Sequence, residues 1–121
     1  MLKYFFIGLF ASSMLYGIEG TYSGSGTDPY EKKTYSVTAT FTQDANGVIQ
    51  ATWEELENGQ KTSYAGTGLK QSDSVSFTYQ NKNNLSDCGL QTYKIKNDTL
   101  EGRFVELGKN LVGEELLTKA K

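Results

Sequence analysis

The 121-residue chain has no histidine and only one cysteine, one proline and one tryptophan. Without histidine the usual neutral-pH base is missing, together with the commonest metal ligand and any Ser/His or Cys/His nucleophilic pair. Too few ligands remain for zinc, and neither an enzymatic activity nor a cofactor is expected. The lone Cys88 cannot close an internal disulfide, so the core alone must hold the fold, which the scaling of buried surface allows at about 100 residues. An oxidising compartment would leave Cys88 free or paired between chains. A thiol nucleophile would need an activating base or cation beside it. Lys82 and Lys94 are ordinary lysines, so Cys88 reads as a plain loop or strand-start residue. Positive charge is scarce as well: 12 Lys and Arg against 14 Asp and Glu give a net charge of -2, with a pI near 5.1. The lysines are scattered, which argues against nucleic acid and anionic membrane surfaces, because both select clustered cations.

No ten-residue helical period is present beyond a weak hint in Ala51 to Leu56. Paired carboxylates occur at Glu54-Glu55 and Glu114-Glu115. Neighbours on a strand face opposite sides, so neither pair can act as a dyad, and both read as solvated face. Asn81, Asn83, Asn84 and Asp87 could offer oxygens to calcium, but they lack the EF-hand spacing and its closing glutamate, so no metal site is assigned. Asn84-Leu85-Ser86 and Asn97-Asp98-Thr99 are glycosylation sequons, relevant only to a eukaryotic source.

What is present is alternation. Tyr35, Val37, Ala39 and Phe41 alternate with Ser36, Thr38, Thr40 and Thr42, and after Asp44-Ala45-Asn46-Gly47 the period returns as Ile49, Ala51 and Trp53. Period two places one set of side chains on each face, which predicts two half-buried strands joined by a tight turn. Asn58-Gly59 is a strong hairpin signal because both residues tolerate positive φ. It folds Lys61 to Leu69 back, and Val75, Phe77 and Tyr79 continue the pattern after Gln71-Ser72-Asp73.

Ahead of this lies a different segment. Lys3 is followed by an apolar run from Tyr4 to Leu15 with small residues after it, the pattern of a secretory signal peptide. The run is too short for a comfortable membrane span. Cleavage after Gly17 is preferred, although Ala11-Ser12-Ser13 also offers a small-x-small site. Residues 1–17 are therefore assigned to the leader and 18–121 to a single domain that is secreted or periplasmic, with no membrane contact once the leader is removed.

Further strands are expected over Gly20 to Gly26, Ser74 to Tyr79, Gln91 to Lys96, Thr99 to Val105 and Leu111 to Lys119. Thr27-Asp28-Pro29-Tyr30 is read as a loop, and Asn81 to Gly89, polar and aperiodic, as the longest loop. The fold class is all-β: about eight antiparallel strands in an up-and-down meander that closes into a small barrel, with a two-sheet sandwich as the alternative. Pairing the first strand with the last removes both exposed edges. Gly24, Gly26, Gly66, Gly68 and Gly102 permit the coiling that closure requires.

The opening Gly20-Thr21-Tyr22 and the closing Gly113-Glu114-Glu115-Leu116-Leu117-Thr118-Lys119 resemble the ends of lipocalin and avidin-like barrels. The closing stretch is similar to the last avidin strand. That resemblance implies a barrel able to hold a small molecule at one mouth and gives Glu115 the place of a ligand-binding carboxylate. Trp53 is the only tryptophan, so the rings that pack biotin in avidins are absent and biotin is rejected. Leu100-Glu101-Gly102-Arg103-Phe104 is also similar to endings in small bacterial secreted proteins.

Two functions follow as expectations. One is a binding module for a small apolar or aromatic ligand, carried by Tyr35, Trp53, Phe77, Tyr79, Tyr93 and Glu115. Against it stands the reading that these rings simply fill a narrow interior, about one side chain wide at eight strands. The other is an interaction or inhibitor protein that presents Glu54, Glu57, Glu114 and the long polar loop to a cationic secreted protein partner.

Overall fold

The computed structural model describes residues 17–120. The leader expected over residues 1–17 lies outside the described residues, apart from its last position. Eight strands run in order: β1 (Gly20–Thr27), β2 (Thr34–Gln43), β3 (Val48–Glu57), β4 (Gln60–Gln71), β5 (Ser74–Asn81), β6 (Asn84–Lys96), β7 (Thr99–Glu106) and β8 (Val112–Lys119). Each pairs antiparallel with the next, and β1 pairs with β8 from Tyr22↔Lys119 to Thr27↔Glu114, so the meander is a closed barrel and not a sandwich. The hint of helix at Ala51 to Leu56 is overruled, because those residues are paired on both sides within β3.

Turn chemistry explains the connections. Asn58 and Gly59 take φ of 51° and 79°, the double left-handed geometry whose twist matches two right-twisted strands. At the β2–β3 turn, the Asp44 carboxylate accepts hydrogen bonds from the amides of Asn46 (2.8 Å) and Val48 (3.0 Å), holding the chain while Gly47 turns at φ 85°.

The expected long loop at Asn81 to Gly89 is instead a hairpin. Only Lys82 and Asn83 connect β5 to β6, with a register shift between Gln80 and Asn81. Polar bonds replace hydrophobic alternation there. Asn81 Nδ2 and Tyr64 Oη both donate to Asp87 Oδ2, at 3.1 and 2.8 Å, and Gln80 Nε2 donates to the Leu85 carbonyl at 3.3 Å. A strand that rises past the core layer needs no apolar period, only satisfied polar groups. Cys88 lies beside Gln80 on the outward side of this hairpin and is half-buried. Cys88→Ser is expected to stay within about 0.5 kcal/mol of the parent in urea unfolding and to abolish any disulfide dimer. A loss of several kcal/mol would show that the sulfur is part of the core.

The two ends of the barrel differ. Ile18, Tyr22, Phe41, Ile49, Val75, Leu100 and Leu117 are all buried and fill the end at which the β2–β3, β4–β5 and β6–β7 turns lie. From this layer Phe41 stacks on Phe77 at 5.4 Å, and Trp53 meets Phe77 edge-on at 5.5 Å, the offset and T-shaped arrangements that ring quadrupoles favour. At the seam between β1 and β8, Gly24 lies so close to its neighbour that a Cβ would overlap the Leu116 carbonyl. Gly24→Ala is therefore expected to lower stability by about 2–3 kcal/mol, whereas Ser23→Ala, exposed on the same strand, should be near neutral. Denaturant midpoints at constant slope check both variants.

Candidate functional site

At the other end the strands outrun the packed layer and enclose a cavity of about 230 Å³. Period two continues along each strand, so the positions after the core residues still point inward: Glu55 and Glu57 follow Trp53 on β3, and Glu115 precedes Leu117 on β8. Tyr35, Trp53, Gln91 and Glu115, the most buried of the lining residues, form the floor. Tyr64, Tyr79, Phe104 and Glu55 make the walls, and Asp28, Pro29, Tyr30, Glu57, Asp87 and Glu106 the rim.

The floor is a hydrogen-bonded network. Trp53 Nε1 donates to Tyr93 Oη at 2.8 Å, Tyr93 Oη donates to Glu115 Oε1 at 2.8 Å, and Tyr35 Oη donates to Glu115 Oε2 at 2.6 Å. Gln91 Nε2 is used up on the carbonyls of Arg103 (3.1 Å) and Thr92 (3.3 Å). No buried side-chain nitrogen or oxygen among the described residues is left without a partner, so the floor is rigid as built.

Electrostatics sets the protonation. Burial raises the Glu115 carboxyl above its ordinary range, and the Tyr35 and Tyr93 hydroxyls pull it back by donating to the charged form. Burial first, then the negative charge of Glu115, pushes Glu55 up to about 8. The same two causes, in that order, hold the Tyr35 and Tyr93 phenols well above their ordinary value, so both remain neutral donors.

Of the residues picked out in the sequence, Tyr35, Trp53, Tyr79 and Glu115 line the cavity. Tyr93 does not line it but holds Glu115 through its hydroxyl. Phe77 is fully buried against Phe41 in the packed layer and lies away from the mouth. The interior is thus filled at one end and hollow at the other.

Sequence reasoning missed Glu55, Tyr64, Asp87 and Phe104. Glu55 was legible, since alternation that places Trp53 inward places Glu55 inward too, and neither Glu55 in the cavity lining nor the buried Glu115 belongs to a solvated face. Asp87 sat in the supposed loop, where it was weighed only as one of four possible calcium oxygens and not as part of a cavity. The carboxylates expected to form an acidic outer surface are dispersed: Glu54 pairs with Lys61 at 3.5 Å, Glu114 lies opposite Arg103, and Glu57 belongs to the rim.

No protein-family model matches the chain, and no curated protein does. Solved structures do. A redesigned β-barrel is similar with a TM-score of 0.74 at 9% identity, over 86% of this chain and 92% of its own. A de novo designed fluorescence-activating β-barrel is similar with a TM-score of 0.68 at 15% identity, over 85% and 94%. Rv2717c from M. tuberculosis is similar with a TM-score of 0.55 at 11% identity, over 93% and 99%. At these identities the likeness is one of fold, and the lipocalin and avidin resemblance reaches no further than the barrel.

Proposed function

We propose that this protein is a non-enzymatic binding module that takes a small ligand in the mouth cavity, outside the cytoplasm. The observation that carries this reading is the floor: a carboxylate aimed into a largely polar cavity with aromatic rings in its walls and held by two oriented hydroxyls, so that convergent polar groups stand beside ring faces as in ligand sites. The cavity is below the range of about 300–1,000 Å³ common for such sites, so the ligand is compact. A designed barrel of the same fold is described as fluorescence-activating, which is consistent with use of the interior.

Trp53 is both floor and reporter. Titration with a panel of compact aromatic compounds should shift or quench its emission saturably, with binding heat measured in parallel, and Trp53→Phe should remove the optical signal and weaken binding. If no compound perturbs either Trp53 or the melting temperature, the mouth is not a binding site. Export rests on the Lys3 to Leu15 pattern and agrees with the burial of Ile18, because a cut beyond Gly17 would remove a core side chain. Intact-mass analysis of the extracytoplasmic form should show a mature chain that begins near Ile18. A mass that retains Met1 would refute cleavage.

A further inference from the structure

We propose that the ligand is a small organic cation, an amine or quaternary ammonium, whose charge is met by Glu55 and Glu115 and whose hydrocarbon part lies against Trp53, Tyr64, Tyr79 and Phe104. This deepens the binding reading above and rests on it. The lining of the cavity contains six carboxylates, on Asp28, Glu55, Glu57, Asp87, Glu106 and Glu115, and neither lysine nor arginine. Three of the six have other work. Asp28 accepts the amides of Tyr30 and Glu31, Asp87 accepts Tyr64 and Asn81, and Glu106 pairs with Lys109 at 3.4 Å. The four ion pairs among the described residues leave Glu55, Glu57 and Glu115 without a counter-ion.

Glu115 is the decisive group. At 6% exposure it is nine-tenths buried and faces the cavity, where it holds two neutral hydroxyls but no cation. A buried carboxylate without a counter-charge is costly, and a bound cation relieves that cost in the same low-dielectric space that makes the attraction strong. The walls supply the second half of the recognition. Aromatic faces attract cations, and the rim already shows this, with Lys109 Nζ seated 5.2 Å from the Tyr30 ring centroid. A bare metal ion is a poorer fit, because no three Asp, Glu or Cys side chains among the described residues converge to share one. Anions are disfavoured by every uncompensated charge in the mouth.

Binding of a cation must also draw the proton from Glu55. The titratable groups that face it are Glu115 from β8, Glu57 from β3, Asp87 from β6, Asp28 from the β1–β2 loop and the hydroxyls of Tyr35 from β2, Tyr64 from β4, Tyr79 from β5 and Tyr93 from β6, all acidic or neutral, so affinity for a permanently charged ligand should rise with pH.

Three probes of similar shape decide the matter: benzyltrimethylammonium, benzyl alcohol and benzoate, each titrated calorimetrically into the mature chain with Trp53 emission recorded in parallel. The cation should bind at least about tenfold more tightly than the alcohol, and benzoate should not bind. Its affinity should rise several-fold from about pH 6.5 to about pH 8.5 and fall with added salt. Glu55→Gln should flatten the pH dependence and weaken the cation by about tenfold, a larger loss than benzyl alcohol suffers. Should that variant not fold, the comparison of the three probes on the parent chain still decides. Benzyl alcohol binding as tightly as the cation would overturn the cation assignment and leave the binding reading intact. If none of the three perturbs Trp53 or releases heat, both fall.

Discussion

Trp53→Ala should cost about 3–5 kcal/mol of stability, the range for removing a buried tryptophan or phenylalanine. The side chain is 3% exposed, meets Phe41 and Phe77 edge-on at 6.2 and 5.5 Å, and donates to Tyr93 at 2.8 Å. Truncation therefore opens a void in the aromatic layer and removes one anchor from the network beneath Glu115. The neighbouring Glu54→Ala should stay within about 0.5 kcal/mol, since Glu54 faces water and its partner Lys61 is exposed. Trp53→Phe separates the two contributions, because it keeps ring packing while losing the indole donor, and should fall between these values. The folded protein should emit in the blue range of buried indole and shift red on unfolding. Red emission from the folded state would overturn the inward placement of Trp53 and the register that sets it.

A fall in stability as pH rises from about 5 to about 9 is the second large effect expected. Glu55 holds its proton in the folded state up to about 8, against 4.5 as its ordinary value. Between those values the unfolded chain has lost the proton and the folded chain retains it, so unfolding releases a proton and stability falls with pH. Below 4.5 both states are protonated, and the folded chain has its full stability with respect to this group. At about 1.4 kcal/mol per unit the interval sets a ceiling of about 5 kcal/mol, and access of water to an open mouth reduces the expected loss to about 2 kcal/mol. Glu115 is shifted in the same direction and adds with the same sign. Glu55→Gln should flatten the profile and make the protein more stable than the parent at pH near 9. Urea midpoints measured across the range check this. Stability that holds level or rises from about pH 5 to about pH 9 would show that Glu55 ionises freely in the fold.

Local pattern was enough for the strands and their facing. The alternation from Tyr35 to Phe41 and from Ile49 to Trp53 needs only the two-residue period of an extended chain, and Asn58-Gly59 needs only its tolerance of positive φ. Closure could be argued from the cost of open edges, and the β1–β8 ladder bears it out. The β5–β6 hairpin was illegible because its strands are held by Asp87, Asn81 and Tyr64, three polar side chains whose meeting no local period encodes.

The division of the interior into a packed end and a hollow end is likewise a tertiary outcome. Alternation says that Phe77, Tyr93, Glu55 and Glu115 all point inward, but not at what height each meets its neighbours. Height follows from the stagger of eight paired strands, which sets Phe41, Trp53, Phe77 and Tyr93 against one another and leaves Glu55, Tyr64, Tyr79 and Glu115 around open space. Whether an inward residue becomes core or cavity wall depends on the summed volume of side chains from strands distant in sequence, a quantity that exists only once the barrel has closed.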